Sequence, residues 1–264
     1  MPTGRDERAL PAAAGNRVSR PLRIGAALAF VRRALTPRTQ DRPQDRRPQD
    51  RRPHAGARIG GMSSHSHSDS PVIAGLLLAA GGGRRLGGRP KALLPYRGRP
   101  LVENAVRVLR EAGCGPVHVV LGASAAEVRE RADLSGCVVV DNPDWAEGMG
   151  SSLRVGLASL AGTDARAALV SLVDQPGIGP AAVARVREAY RSPASLAAAA
   201  YGGERGHPVL FGADRWADIA ATATGDKGAR VHLARHAGEL MLVECSDVAE
   251  AFDIDTPPDL ARLL

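Results

Sequence analysis

The chain has 264 residues, enough for one large α/β domain or two small ones, with 35 basic and 28 acidic side chains and a formal net charge of +7. That charge is uneven: residues 1–61 hold 14 arginines against 5 acids, whereas residues 62–264 hold 21 basic against 23 acidic side chains. The high pI therefore belongs to the first segment, and a nucleic-acid role for the remainder cannot be read from charge.

Residues 1–70 read as an Arg/Pro-rich tail followed by a Ser/His leader. Asp41–Pro53 (DRPQDRRPQDRRP) nearly repeats itself and has almost nothing to bury, so disorder is expected there. Ile24–Leu35 supports at most a short isolated helix. The run Ile24–Val31 is too short for a membrane span, and its flanking arginines and lack of a small-residue cleavage site do not make a signal peptide. Ser63–Ser70 (SSHSHSDS) reads as a flexible leader in preference to a weak metal tract. Met62, just before it, is an alternative start that would leave residues 1–61 untranslated. Without interleaved aromatics, the tail offers nucleic acid only non-specific phosphate attraction.

From Val72 the pattern changes. Val72–Ala79 (VIAGLLLA) is a continuous apolar run ending in glycines, the mark of a buried parallel strand. Pro100–Ala112 has helical spacing in Leu101, Ala105, Val108 and Leu109. Strand Val117–Leu121, helix Ser124–Ala132, strand Cys137–Val140 and helix Ser151–Leu160 follow, then strand Ala167–Val173 and helix Pro180–Tyr190. Two more strands, Leu196–Ala200 and Pro208–Phe211, precede short helices at Asp214–Ala221 and Lys227–His236. The strand Leu240–Glu244 and a helix from Pro257 close the chain. This alternation predicts an α/β domain over residues 71–264: a three-layer, doubly wound, mostly parallel sheet. Aromatic residues make up 3% of the chain, so Ala, Val and Leu must fill its core. Cys114, Cys137 and Cys245 have no paired spacing, which fits buried thiols in a reducing cytoplasm.

In such sheets ligands bind beyond the carboxyl ends of the strands. Leu78–Lys91 (LAAGGGRRLGGRPK) falls there, directly after the first strand. Gly81, Gly82 and Gly83 let backbone N–H groups crowd an anionic oxygen, while Arg84, Arg85 and Lys91 supply charge. Neither standard anion motif fits: no G-x4-G-K-[ST] occurs, and G-x-G-x-x-G fails because position 86 is Leu.

Leu78–Lys91 instead resembles the L-A-A-G-x-[SG]-x-R-[ML]-G-x-x-x-K signature of the MobA-like nucleotidyltransferases. Asn142–Leu157 (NPDWAEGMGSSLRVGL), Asp174–Pro176, Arg205–Phe211, Gly225–Arg230 and Asp253–Leu260 match, in order, the branch of molybdenum cofactor cytidylyltransferases, MocA. The resemblance covers about residues 72–264. It implies a Rossmann-like nucleotidyltransferase fold and transfer of CMP from CTP to a phosphorylated acceptor such as the molybdopterin cofactor, with pyrophosphate released and Mg2+ required. A molybdoenzyme or its chaperone is the protein partner it implies; a membrane or a specific nucleic acid is not. Relatives labelled nicotine blue oxidoreductase keep open an NAD(P)H-dependent reduction on the same scaffold. Against that stand the broken dinucleotide fingerprint and the want of a ribose-binding acid, the nearest being Glu103 in a helix.

Under the transferase reading, Leu78, Ala79, Ala80 and Gly81–Gly83 line the nucleotide, and Arg85 and Lys91 neutralise the leaving pyrophosphate. Arg84 points to solvent. Asp174, ending a strand, is placed to hold Mg2+, with a helix N-cap as the alternative. Asp253 and Asp255 flank Ile254 and share a face in an extended backbone, as further metal ligands, with Asp255 or Thr256 before Pro257 and Pro258 as the alternative start of the last helix. Gly150, Ser151 and Ser152 either contact the base or cap a helix. Arg205 and His207 are expected to bind the acceptor, because attack by an ionised phosphate needs no strong base. His118 reads as a core or strand-edge histidine, and Asp226 with Arg230 as a structural or acceptor-side pair.

Overall fold

The computed structural model describes residues 70–264; the expected tail and nearly all of the Ser/His leader lie outside the described residues. In chain order the elements are β1 (Ile73–Ala79), the short hairpin β2 (Pro95–Tyr96) and β3 (Arg99–Pro100), α1 (Leu101–Glu111), β4 (Val117–Leu121), α2 (Ala125–Arg131), β5 (Val138–Asp141), α3 (Met149–Leu160), β6 (Ala167–Leu172) and α4 (Pro180–Arg187). Then follow β7 (Leu196–Tyr201), β8 (Glu204–Gly212), α5 (Trp216–Thr222), α6 (Arg230–Arg235), β9 (Met241–Glu244) and a terminal 3-10 helix, Pro257–Leu263.

The main sheet has seven strands in the order β5-β4-β1-β6-β8-β7-β9. Its pairings are parallel except those of β8 with β6 and β7, which are antiparallel. This is the mostly parallel, helix-flanked α/β sheet expected. All seven residues of β1 are buried because both of its faces are covered. Ile73, Leu77 and Ala79 join the core beneath α1, α2 and α4, while Ala74, Leu76 and Leu78 join the one beneath α3, α5 and α6. Gly156 lets α3 lie close on the sheet; a Cβ there would come within 2.7 Å of Leu76.

Two local features depart from expectation. The strand foreseen as Pro208–Phe211 runs over Glu204–Gly212, because Gly202 and Gly203 both take positive φ (61° and 83°) and close a hairpin onto β7. Glu204–Gly206 carry no apolar signal; backbone pairing extends the strand. The stretch expected as one helix over Lys227–His236 divides into a 3-10 turn, Gly225–Lys227, and α6, with Gly228 at φ 50° between them. The final helix is 3-10, begun by Thr256 in a capping box with Asp259. Strands leave β1 toward β4 and β5 on one side and resume at β6 on the other. The crevice at the carboxyl ends of β1 and β6 is therefore the topological switch point of the sheet.

Candidate active site

The chain after β1 is forced into a loop at Gly83, whose φ is 57° and where a Cβ would lie 1.9 Å from the Arg89 carbonyl oxygen. The Gly83 carbonyl accepts from Leu86 N and Gly88 N at 2.8 and 3.1 Å, closing a one-turn 3-10 helix at Arg84–Leu86. Leu86 is 2% exposed and pins this loop to the core. Gly81, Gly82, Gly83, Arg84 and Arg85 are left along one wall of a cleft of about 650 Å³. A second 3-10 turn, Lys91–Leu93, buries Ala92 and Leu93 and holds Lys91 at the same cleft.

Lys91 Nζ donates to Asp174 Oδ2 at 2.6 Å and also to Asp255 Oδ1. Asp174 follows β6, and its carbonyl accepts from Ile254 N at 2.9 Å, which docks the 253–255 segment beside it. Ile254 is fully buried, and Asp253 and Asp255 on either side of it line the cleft. Asp253 Oδ1 accepts from Gln175 Nε2 at 2.8 Å. Arg85 Nη1 lies 3.7 Å from Asp255 Oδ2, but its side chain is 75% exposed, so this pair is weak. Burial pushes the Asp174 carboxyl up from its ordinary range, opposed by Lys91. Burial also pulls the Lys91 ammonium down, but Asp174 and Asp255 outweigh it and hold Lys91 above its usual value. The lysine is thus a fixed cation between two carboxylates.

A second cleft of about 400 Å³ adjoins the first and shares Leu78, Met149, Leu172, Asp226, Arg230 and Asp253 with it. Its floor is apolar, with Leu153, Val170, Val209, Phe211 and Leu233; Arg205, Lys227 and His207 join Arg230 around it. Burial lowers the His207 pKa to about 4; Asp253 opposes this, and Arg205 and Arg230 reinforce it. The imidazole is neutral at pH 7.

The expected site residues are therefore divided. Leu78, Ala80, Gly81, Gly82, Gly83, Arg85, Lys91, Ser152, Asp174, Asp253 and Asp255 line the first cleft, and Arg205 and His207 the second. Three others face elsewhere. Ala79 belongs to the core. Gly150 is pressed against the backbone of Thr224, 2.8 Å from where its Cβ would be. Ser151 Oγ bonds the Asp144 and Gly148 carbonyls at 2.9 Å and accepts from Asn142 Nδ2, so it braces the loop before α3. Gly148 occupies the N-cap of α3, with no side-chain cap.

Asp174 caps no helix, since Gly179 precedes α4, and of the two residues expected to start the last helix, Asp255 or Thr256, it is Thr256 that caps it. No ion pair joins Asp226 to Arg230 among the described residues; each lines both clefts instead. His118 is a core residue, bonded through Nδ1 to Ser159 Oγ at 2.8 Å. Residue type and spacing did not mark Trp145, Met149, Leu172 or the apolar floor as walls of these clefts. The cue for Trp145, Met149 and Leu153 was their place in the Asn142–Leu157 segment, and for Val209 and Phe211 theirs in Arg205–Phe211; Leu172 had none.

Residues 75–240 match the MobA-like NTP transferase domain. A Paenarthrobacter nicotinovorans protein named nicotine blue oxidoreductase is 44% identical over 204 residues, spanning 75% of this chain and 98% of that one. A molybdenum cofactor guanylyltransferase of Rhodobacter capsulatus is 33% identical over 193 residues, 72% of this chain and 94% of its own. Among solved structures, a Mycobacterium tuberculosis protein in complex with manganese is 31% identical, with a TM-score of 0.59, covering 73% of this chain and 98% of that one. With most of the sheet inside the matched span and relatives aligned over nearly their whole length, the chain belongs to the MobA-like NTP transferase family.

Proposed function

We propose that the protein transfers CMP from CTP to a phosphorylated, molybdopterin-like acceptor and releases pyrophosphate. The observation that carries this reading is the position of Lys91 between Asp174 and Asp255, facing the glycine loop across one polar cleft. A triphosphate needs cations and N–H donors along its length, and the loop amides with Arg85 and Lys91 supply them. Ala80 lines the cleft, and the L-A-A-G opening at Leu78–Gly81 resembles the cytidylyl branch more than the L-A-G-G of the guanylyl branch, which supports CTP.

Asp174, Asp253 and Asp255 form an all-oxygen donor set, the kind a hard cation such as Mg2+ takes. The Lys91 ammonium, bonded to both Asp174 and Asp255, is an internal precedent for one positive charge shared by these carboxylates. When bound, Mg2+ supplies charge neutralisation and Lewis acidity at the phosphates. That a Mycobacterium tuberculosis relative is solved in complex with manganese supports a divalent cation here. Lys91 is the residue to neutralise the pyrophosphate as it leaves. Arg205, Lys227 and Arg230 draw an anionic acceptor into the second cleft, where the apolar floor covers a planar ring. An acceptor phosphate is already ionised, so neutral His207 serves as a hydrogen-bonding contact with no proton to remove. The product would pass to a molybdoenzyme or its chaperone.

A second reading, NAD(P)H-dependent reduction, is favoured by the name of the 44% identical relative. Two residues weigh against it. Leu86 replaces the third glycine of a dinucleotide fingerprint and is buried in the core. β4 is followed by Gly122 and Ala123, so it offers no carboxylate to a ribose; Gly122 is also packed so closely that a Cβ would meet Trp145 at 2.4 Å. Pyrophosphate release from CTP and GTP with a phosphorylated pterin, beside NADPH oxidation, with and without EDTA, tests both readings. EDTA-sensitive release from CTP is expected. EDTA-resistant NADPH oxidation with no pyrophosphate would overturn the transferase reading.

A further inference from the structure

We propose that Asp218, His232 and His236 form a second metal site at the α5–α6 corner, selective for Zn2+ or a similar first-row divalent ion. It is independent of the reading above and touches neither cleft. His232 and His236 are one helical turn apart on α6 and its C-terminal end, so both rings face the same way, with centroids 4.5 Å apart. One ligand atom from each of the three residues lies within 4.8 Å of the other two. Asp218 Oδ2 is 2.6 Å from His232 Nδ1 and 3.8 Å from His236 Nε2. Tetrahedral ligands at about 2.0–2.2 Å from an ion stand roughly 3.3 Å from one another. A sub-ångström shift of the half-exposed Asp218 carboxylate from one ring toward the other brings both of its distances to that value.

The surroundings are already those of a ligating histidine. His236 turns Nδ1 to Glu239 Oε1 at 2.8 Å, which leaves its Nε2 toward Asp218. Glu239 is fixed in turn by Arg215 Nη2 at 2.6 Å, and Arg215 Nε by the Ala194 carbonyl at 2.6 Å. A carboxylate behind a histidine selects the tautomer and raises the basicity of the ligating nitrogen. His232 is 1% exposed, and its Nδ1 lies against the Asp218 carboxylate. Its Nε2 is buried, with no hydrogen-bond partner among the described residues. Metal at Nδ1 moves the ring proton to this nitrogen, a desolvation cost that keeps the affinity modest. Two imidazoles with one carboxylate suit Zn2+, Co2+ or Ni2+ and discriminate against Mg2+. Three protein ligands leave a fourth position open toward solvent. Loading would brace α6, which carries Arg230 and Leu233 into the walls of the clefts.

The test is calorimetric titration of the full chain with Zn2+ in saturating Mg2+, which occupies the all-oxygen carboxylates. Wild type should take one equivalent that His236→Gln and Asp218→Asn lose. Glu239→Gln should keep that equivalent with affinity about tenfold weaker or more. Histidines of the Ser/His leader are intact in all variants and cancel in the comparison. Circular dichroism checks folding; should His236→Gln fail to fold, Asp218→Asn alters a half-exposed side chain and decides the matter. Unchanged Zn2+ uptake in either folded variant, or no Zn2+ equivalent in wild type, overturns the proposal.

Discussion

Lys91 Nζ sits 2.6 Å from Asp174 Oδ2, joining the loop after β1 to the end of β6 across 83 residues of sequence. The side chains are 13% and 20% exposed, so the contact is shielded from solvent. The group proposed to serve the triphosphate therefore also holds two strand ends together. Lys91→Ala should slow pyrophosphate release by about 100- to 1,000-fold, the equivalent of roughly 2.7–4 kcal/mol of barrier. It should also cost about 1–3 kcal/mol of stability, because Asp174 loses its partner. Added Mn2+ should raise the melting temperature of the variant more than that of wild type. Thermal unfolding with and without Mn2+ measures this, and an equal rise in both proteins would separate Lys91 from the cation site.

Asp174→Asn makes a different demand. It keeps the shape and some hydrogen bonding to Lys91 but removes the buried charge. The melting temperature should change little, whereas Mn2+ affinity and pyrophosphate release should fall together, with excess metal restoring only part of the rate. NADPH oxidation that survives both this change and EDTA would favour the reductase.

Gly83 and Gly87 form a matched pair. Both have positive φ (57° and 71°), but a Cβ at Gly83 strikes the Arg89 carbonyl oxygen at 1.9 Å, whereas one at Gly87 meets nothing within 4 Å. Gly87→Ala should cost about 1–2 kcal/mol for the left-handed backbone and keep most turnover. Gly83→Ala should lose more stability and nearly all pyrophosphate release, because the loop must open. Denaturant midpoints and initial rates compare the two.

His207 gives a pH signature. Its native pKa of about 4 lies below the ordinary 6.5, so the unfolded chain takes up a proton first as the pH falls. The neutral ring's stabilisation is full above about pH 6.5 and is lost progressively toward pH 4, by at most about 3 kcal/mol. Denaturant unfolding between pH 7 and 4 should show this slope, and His207→Gln should flatten it. An unchanged slope in the variant would assign the acid sensitivity to other groups.

Much of the fold was legible because its signals are local. The apolar run at Ile73–Ala79 needs no partner to announce a buried strand, and Gly81–Gly83 marks the break after it. The closing helix from Pro257 is there too, begun by Thr256 and Asp259, whereas the polar Glu204–Gly206 became strand only through pairing with β7. Hydropathy does not record such backbone pairing.

By itself the sequence determined the α/β alternation, the glycine loop and the acids at strand ends, because each depends on residue type and short spacing. Only the tertiary structure decided which of them meet. Lys91 and Asp255 are 164 residues apart and touch because Ile254 is buried and its N–H is tied to the Asp174 carbonyl. Ser151, adjacent to Ser152, is absent from the cleft because its hydroxyl bonds the loop carbonyls. The apolar floor of the second cleft arises where side chains of β6, β8, α3 and α6 converge. Convergence of this kind depends on the packing of distant elements, which no local pattern encodes.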